Sequence, residues 1–140
     1  DAVDKARPDI VIHQLTDLPA GLEPAKMTEA SARNARIREI GTRHLVAAAI
    51  AAGARRLIAQ SIAFAYAPGP MPHREQDPLN LSAADRAGIS ARGVASLELQ
   101  VLGAPLTGIV LRYGRIYGPG TGFDGPQAGQ GDRRRLDRPG

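Results

Sequence analysis

Three short apolar runs, rich in β-branched residues, punctuate the chain at 9–15 (DIVIHQL), 57–65 (LIAQSIAFA) and 106–112 (LTGIVLR). Each has the length and composition of a strand. Ile10, Val11 and Ile12 are consecutive, so the first run is apolar on both faces, as in a strand buried between helix layers. Between the first two runs, Ile37, Ile40, Gly41, His44, Leu45, Ala48 and Ala52 recur at three- and four-residue steps, which predicts a helix over 25–52. Its first half carries Lys26, Glu29, Arg33, Asn34, Arg36 and Arg38 and is expected to be the more exposed. Its second half is small and Ala-rich, suited to lying close on a sheet, and Gly53 supplies the stop. A second helix is predicted at 91–102, with Val94, Leu97, Val101 and Leu102 toward the sheet and Gly103 and Pro105 ending it.

The order strand, helix, strand, helix, strand predicts three adjacent parallel strands with flanking helices. The remaining segments read as connections. Residues 1–7 look like the end of a helix stopped by Pro8, and 16–24 is a loop broken by two prolines and a glycine. The 68–78 segment holds four prolines, and 80–90 is polar and weakly patterned, a loop with at most a short turn. Residues 113–125 are glycine-rich, and 126–140 reads as an irregular or disordered tail, separate from a folded domain over 1–125.

The 140-residue length suits one domain. Cysteine is absent, which rules out disulfide and thiolate chemistry and fits a cytoplasmic setting. No apolar run reaches the ~18 residues of a membrane span, and no signal-peptide pattern opens the chain. The chain opens on Asp, as a processed or partial product would. The formal charge is 18 − 14 = +4, and Lys5 and Lys26 are the only lysines. Aromatic residues are scarce and the arginines dispersed, which argues against nucleic acid; the cluster Arg133–Arg135 is the exception, and a tail-borne, salt-dependent affinity would express it.

Chemistry in an open α/β sheet gathers at the carboxyl ends of strands. His13 and Thr16 close the first strand, and Ser61 lies near the end of the second; each is also explained as a small or hydrogen-bonded strand residue. His13, His44 and His73 lack metal-ligand spacing, and His44 falls on the apolar side of its helix. Glu75, in HREQDPL, is a loop carboxylate. Gly118-Pro-Gly120-Thr-Gly122 follows a strand but opens no helix, so it is not a dinucleotide fingerprint. Phosphate-binding-loop and nucleophile-elbow motifs are absent.

Taken together, RPDIVIH, GTRHLVAAAIAAGARRLIAQS-xxx-AY, PHREQDPL and LRYGRIYGPG resemble the NAD-dependent epimerase/dehydratase branch of the extended or atypical short-chain dehydrogenase/reductases. The resemblance runs over about 1–123. It implies a partial Rossmann-type three-layer sandwich, corresponding to strands four to six, with the first βαβ half and its glycine-rich cofactor loop lying before Asp1. It also implies NAD or NADP as cofactor and a small-molecule substrate such as a nucleotide sugar. By the same carry-over, Ser61 would be catalytic, and Leu15, Thr16, Ser61, Tyr113, Gly114 and Arg115 would face the cofactor.

The chain departs from that pattern at telling places. The family's Tyr-x-x-x-Lys pair cannot be formed, since no Lys follows Lys26; in register with Glu98, its places fall near Ser90 and Val94. Ile62 stands at the usual Ser/Thr site with Ser61 one place before it. Arg38 and Arg115 stand where the family has Asn. The tail GDRRRLDRPG does not continue the family's substrate lobe, as a frame change or truncated gene would explain. An oxidoreductase fragment, inactive as the isolated chain, is therefore one expectation; a nucleotide-sensing or interaction module on the same fold is the other. Without a neighbour for its first strand, the chain is expected to associate through that exposed edge.

Overall fold

The computed structural model describes residues 2–18, 26–114 and 116. Arg115, most of the glycine-rich stretch and the 126–140 tail lie outside the described residues. In chain order the elements are α1 (Ala2–Ala6), β1 (Ile10–His13), α2 (Met27–Arg36), a wide π-helical turn (Ile37–Gly41), α3 (Thr42–Ala51), β2 (Arg56–Ile62), a short 3-10 turn (Ala63–Ala65), α4 (Arg86–Leu102) and β3 (Thr107–Tyr113). The three strands form one parallel sheet in the order β1-β2-β3. Val11 pairs with Leu57 and Leu57 with Gly108, so alternate residues of the three strands line one face in rows. This is the partial Rossmann-type α/β arrangement expected from the sequence.

The core lies between that face and the helices. Val11, Leu57 and Ala59 from the sheet meet Ala49 of α3 and Leu97 and Val101 of α4, with Leu45, Val46 and Val110 closing the edges. Gly53, at φ +76, takes the left-handed conformation that ends the long helix at no steric cost. Gly93 brings α4 against α2: a Cβ there would sit 2.8 Å from the Ala35 Cα.

Several expectations change here. Helices α3 and α4 pack on the face that carries Val11, Leu57 and Ala59, and Ile10 and Ile12 are exposed on the other, Ile12 by 64%, rather than buried between two layers. The second helix begins at Arg86, five residues earlier than its pattern suggested. Asp85 caps it, its carboxylate accepting from the Gly88 N–H at 3.1 Å, and Gly88 fits closely under the Ala83 carbonyl. The two glycines of this helix lower its intrinsic propensity, and tertiary contact overrides that. Leu102 and His44 are exposed rather than on packed faces. Asn34 and Arg38, expected on an exposed half-helix, are buried. The second strand ends at Ile62, three residues early, where the 3-10 turn begins.

The wide turn explains why Asn34 and Arg38 are buried while Lys26, Glu29, Arg33 and Arg36 of the same half stay exposed. Residues four apart drift by about 40° around a regular α-helix. Ala30, Asn34, Arg38 and Thr42 nevertheless all face inward, because the five-residue turn at Ile37–Gly41 takes up the drift.

Candidate active-site cleft

Past the carboxyl ends of β1 and β2, between the first turns of α2 and α4, lies a cleft of about 800 Å³. Thr16, Asn34, Arg38, Ile62, Phe64 and Ser90 are among its lining residues. A second hollow, about 580 Å³, is formed by the 67–78 loop alone and includes no strand-end residue.

The β1 side of the cleft is fixed from beneath. His13 is buried at the strand end, and its Nδ1 accepts the Leu15 N–H at 3.3 Å. Nε2 therefore carries the ring proton and donates it to Thr42 Oγ1 at 2.8 Å. Burial, and then the nearby charge of Arg38, holds the His13 pKa below its ordinary 6.5, which keeps the ring neutral. The connection after β1 is pinned to α2: Asn34 Oδ1 accepts the Asp17 N–H at 2.7 Å, and Arg33 Nε donates to Asp17 at 2.6 Å.

Arg38 itself is only 8% exposed. Burial pushes its pKa down, and among the described residues no carboxylate opposes that and no hydrogen bond is made to its guanidinium. Its stem runs beside Gly93, with Cδ 3.6 Å from the position a Cβ there would take, and its head reaches the cleft.

Beneath β2 and β3 the polar groups are fully paired. Ser61 is completely buried and donates to Glu98 Oε1 at 2.6 Å. Arg112 grips both oxygens of Glu98, at 2.9 and 2.7 Å, and donates to the Glu75 carbonyl at 2.8 Å. Its guanidinium also lies 4.7 Å from the centroid of the Tyr66 ring, which stacks on His73. His73 in turn pairs with Asp77 at 3.2 Å, so the proline-rich loop is tied to the sheet through Arg112. Burial alone would raise the Glu98 pKa; the hydrogen bonds from Arg112 and Ser61 and the Arg112 charge reverse this and hold it below the ordinary 4.5.

The structure thus separates the residues singled out from sequence. Thr16 lines the cleft, and Leu15 beside it is exposed. Ser61 points away from the cleft into the buried network, while Ile62 and Gln60 reach the cleft. Tyr113 pairs with Ile62 at the far edge of the sheet, followed by exposed Gly114. Arg115 lies outside the described residues. On α4, Ser90 opens to the cleft, whereas Val94 is sealed against Ala65 and Ala91. Asn34 and Arg38 read from sequence as members of an exposed polar half-helix, Arg38 also as a departure from a motif, and neither stands out there as a cleft residue. The signal available was their four-residue spacing with Ala30 and Thr42. Among the described residues no three His, Asp or Glu gather as a metal site, and no helix is long and apolar enough to cross a membrane.

No protein-family model matches the sequence. A 3-diazoavenalumate denitrifying reductase from Streptomyces is 54% identical over 124 residues, covering 87% of this chain and 40% of the relative. The WbmG enzyme of Bordetella bronchiseptica, solved with NAD and also with NAD and UDP, superposes with a TM-score of 0.60 at 24% identity, over 84% of this chain and 36% of that one. The UDP-glucose 4-epimerase of Thermotoga maritima, solved with UDP-glucose, gives a TM-score of 0.59 at 25% identity, over 84% of this chain and 39% of that one. The chain spans about two-fifths of the length of each of these proteins. It is a Rossmann-type region with the fold of an enzyme solved with NAD and of an epimerase, and it is similar in sequence to a reductase.

Proposed function

We propose that this chain is the substrate-facing part of a nicotinamide-dependent reductase whose substrate is a diazo carboxylate. The observation that carries this reading is the face of α4. By register with Glu98, the Tyr and Lys places of the epimerase/dehydratase pattern fall near Ser90 and Val94, and Val94 is packed in an apolar cluster. Interconverting an alcohol and a ketone needs a group that takes and returns a proton at oxygen. Replacing a diazonium group by hydrogen does not: hydride forms the new C–H bond, the C–N electron pair leaves with dinitrogen, the positive and negative charges cancel so that no proton is required, and a reduced nicotinamide, when bound, would supply that hydride. The similarity to a denitrifying reductase favours the same chemistry.

The cleft suits the nicotinamide end of such a cofactor. It lies at the strand ends, with the Thr16 and Ser90 hydroxyls beside the apolar Ile62 and Phe64. Leu15, Thr16, Tyr113 and Gly114 are the residues we assign to the cofactor, and Arg115, outside the described residues, is assigned to it by the resemblance alone. Ser61 is a positioning residue that holds Glu98, and with it the β2–β3–α4 junction, rather than a group that meets substrate. His13, neutral and buried, orients Thr42 and the turn after β1.

A nucleotide-sugar epimerase or dehydratase is the second reading, favoured by the fold shared with enzymes solved with UDP or UDP-glucose. The complete protein, given 3-diazoavenalumate with NADH or NADPH, is expected to oxidise the nicotinamide and release dinitrogen in equal amounts. Epimerisation of a UDP-sugar without any diazo turnover would replace the first reading by the second. The 140-residue chain alone is expected to be inactive, because the turn that receives the cofactor pyrophosphate is not among its residues.

A further inference from the structure

A guanidinium buried without an anion is a costly arrangement, because desolvation is not repaid by an ion pair. Arg38 approaches that position: the residue is only 8% exposed and has no ion pair among the described residues, while its nitrogens keep contact with solvent. The wide turn Ile37–Gly41 rotates it inward, and Gly93 leaves space for its stem. The nearby acids are already engaged: Asp17 with Arg33, Asp85 with the Gly88 N–H, and Glu98 with Arg112 and Ser61. His13 is neutral and offers no counter-charge. The guanidinium therefore faces the cleft with its donors uncommitted.

We infer that Arg38 is the carboxylate-binding residue of the cleft, taking the acid group of an otherwise apolar organic substrate. Its planar fork matches the two oxygens of a carboxylate. The rest of the chamber is mixed: Leu18, Met27, Ile62 and Phe64 give it apolar surface for the body of such a molecule, while Asp85 and Arg86, both exposed, lie at its rim. This assignment rests on the diazo-carboxylate reading for its choice of substrate, but the site itself is defined by Arg38, the turn that carries it and the cleft it enters.

The test uses the complete protein with its nicotinamide cofactor and two probes, avenalumate and its methyl ester, titrated by calorimetry. The acid should bind the wild type at least about 10-fold more tightly than the ester, as a charge-assisted pair would give. In Arg38→Gln and Arg38→Met that preference should vanish, with ester affinity held within about twofold, which also verifies an intact cleft. Arg38→Lys should restore part of the preference. An acid-to-ester ratio unchanged by Arg38→Gln overturns the assignment, as does failure of the wild type to bind either probe. A loss confined to NADH or NADPH affinity also overturns it, assigning Arg38 to a cofactor phosphate instead. If the wild type shows the Arg38-dependent preference yet reduces no diazo substrate, the carboxylate site stands and the reductase reading falls.

Discussion

Glu98 on α4 and Arg112 on β3 are joined through both carboxylate oxygens, at 2.9 and 2.7 Å, and Ser61 of β2 donates to the same group at 2.6 Å. Three elements are thereby locked at one buried point. Arg112→Met would strand the Glu98 charge and is expected to destabilise the fold by about 3 kcal/mol, read from the midpoint of urea unfolding. Ser61→Ala removes one hydrogen bond and should cost about 1 kcal/mol while leaving kcat of the complete enzyme near wild type. A large fall in kcat with unchanged stability would return Ser61 to the chemistry.

Acid sensitivity should come in two windows. The His13 pKa is lowered in the fold, so the unfolded chain binds the extra proton first, and stability begins to fall as pH drops below the ordinary 6.5. Glu98 is also lowered, so its contribution is present above 4.5 and is lost as pH falls further. Urea midpoints measured across pH should show the first decline, and His13→Gln should remove it while the second remains. A first decline that persists in His13→Gln would place its origin elsewhere.

The unpaired Arg38 predicts an unusual sign. Without ligand, Arg38→Met should raise stability by about 1 kcal/mol, because an apolar side chain replaces a largely buried charge that has no ion pair. A lower melting temperature for this variant would mean that the guanidinium already has a stabilising partner.

Close helix packing makes Gly93 sensitive. A Cβ there would meet the Ala35 Cα at 2.8 Å, so Gly93→Val should cost about 2–3 kcal/mol by forcing α2 and α4 apart. Near-wild-type stability on denaturant titration would show that the two helices can separate freely.

We further expect the 140-residue chain to associate. β1 is an edge strand, and Ile10, Ile12 and Leu111 are exposed on the bare face of the sheet. Ile12→Lys should shift the chain toward monomer in sizing experiments over a concentration series. A wild-type chain that elutes as a monomer throughout would remove the basis for this prediction.

The β-branched runs, the Ala-rich half of the long helix and the stop at Gly53 determined the order of elements and the parallel sheet from sequence alone. These signals are local and periodic: strands alternate, helices repeat every three to four residues, and Gly relieves a left-handed turn wherever it lies. Tertiary structure decided the rest. Arg86–Ser90 is helical because Asp85 caps it and Gly88 fits beneath Ala83, local contacts that apolar periodicity does not register. Ser61 sits at the expected strand end, yet its hydroxyl turns to Glu98, thirty-seven residues away, rather than to the cleft. Arg38 looked like one more solvated arginine on a polar half-helix. Only the wide turn that rotates it inward, and the lack of an ion pair to it among the described residues, made it the charge that the cleft presents to a ligand. Side-chain direction and pairing depend on which distant surfaces meet, and that is settled only when the chain has packed.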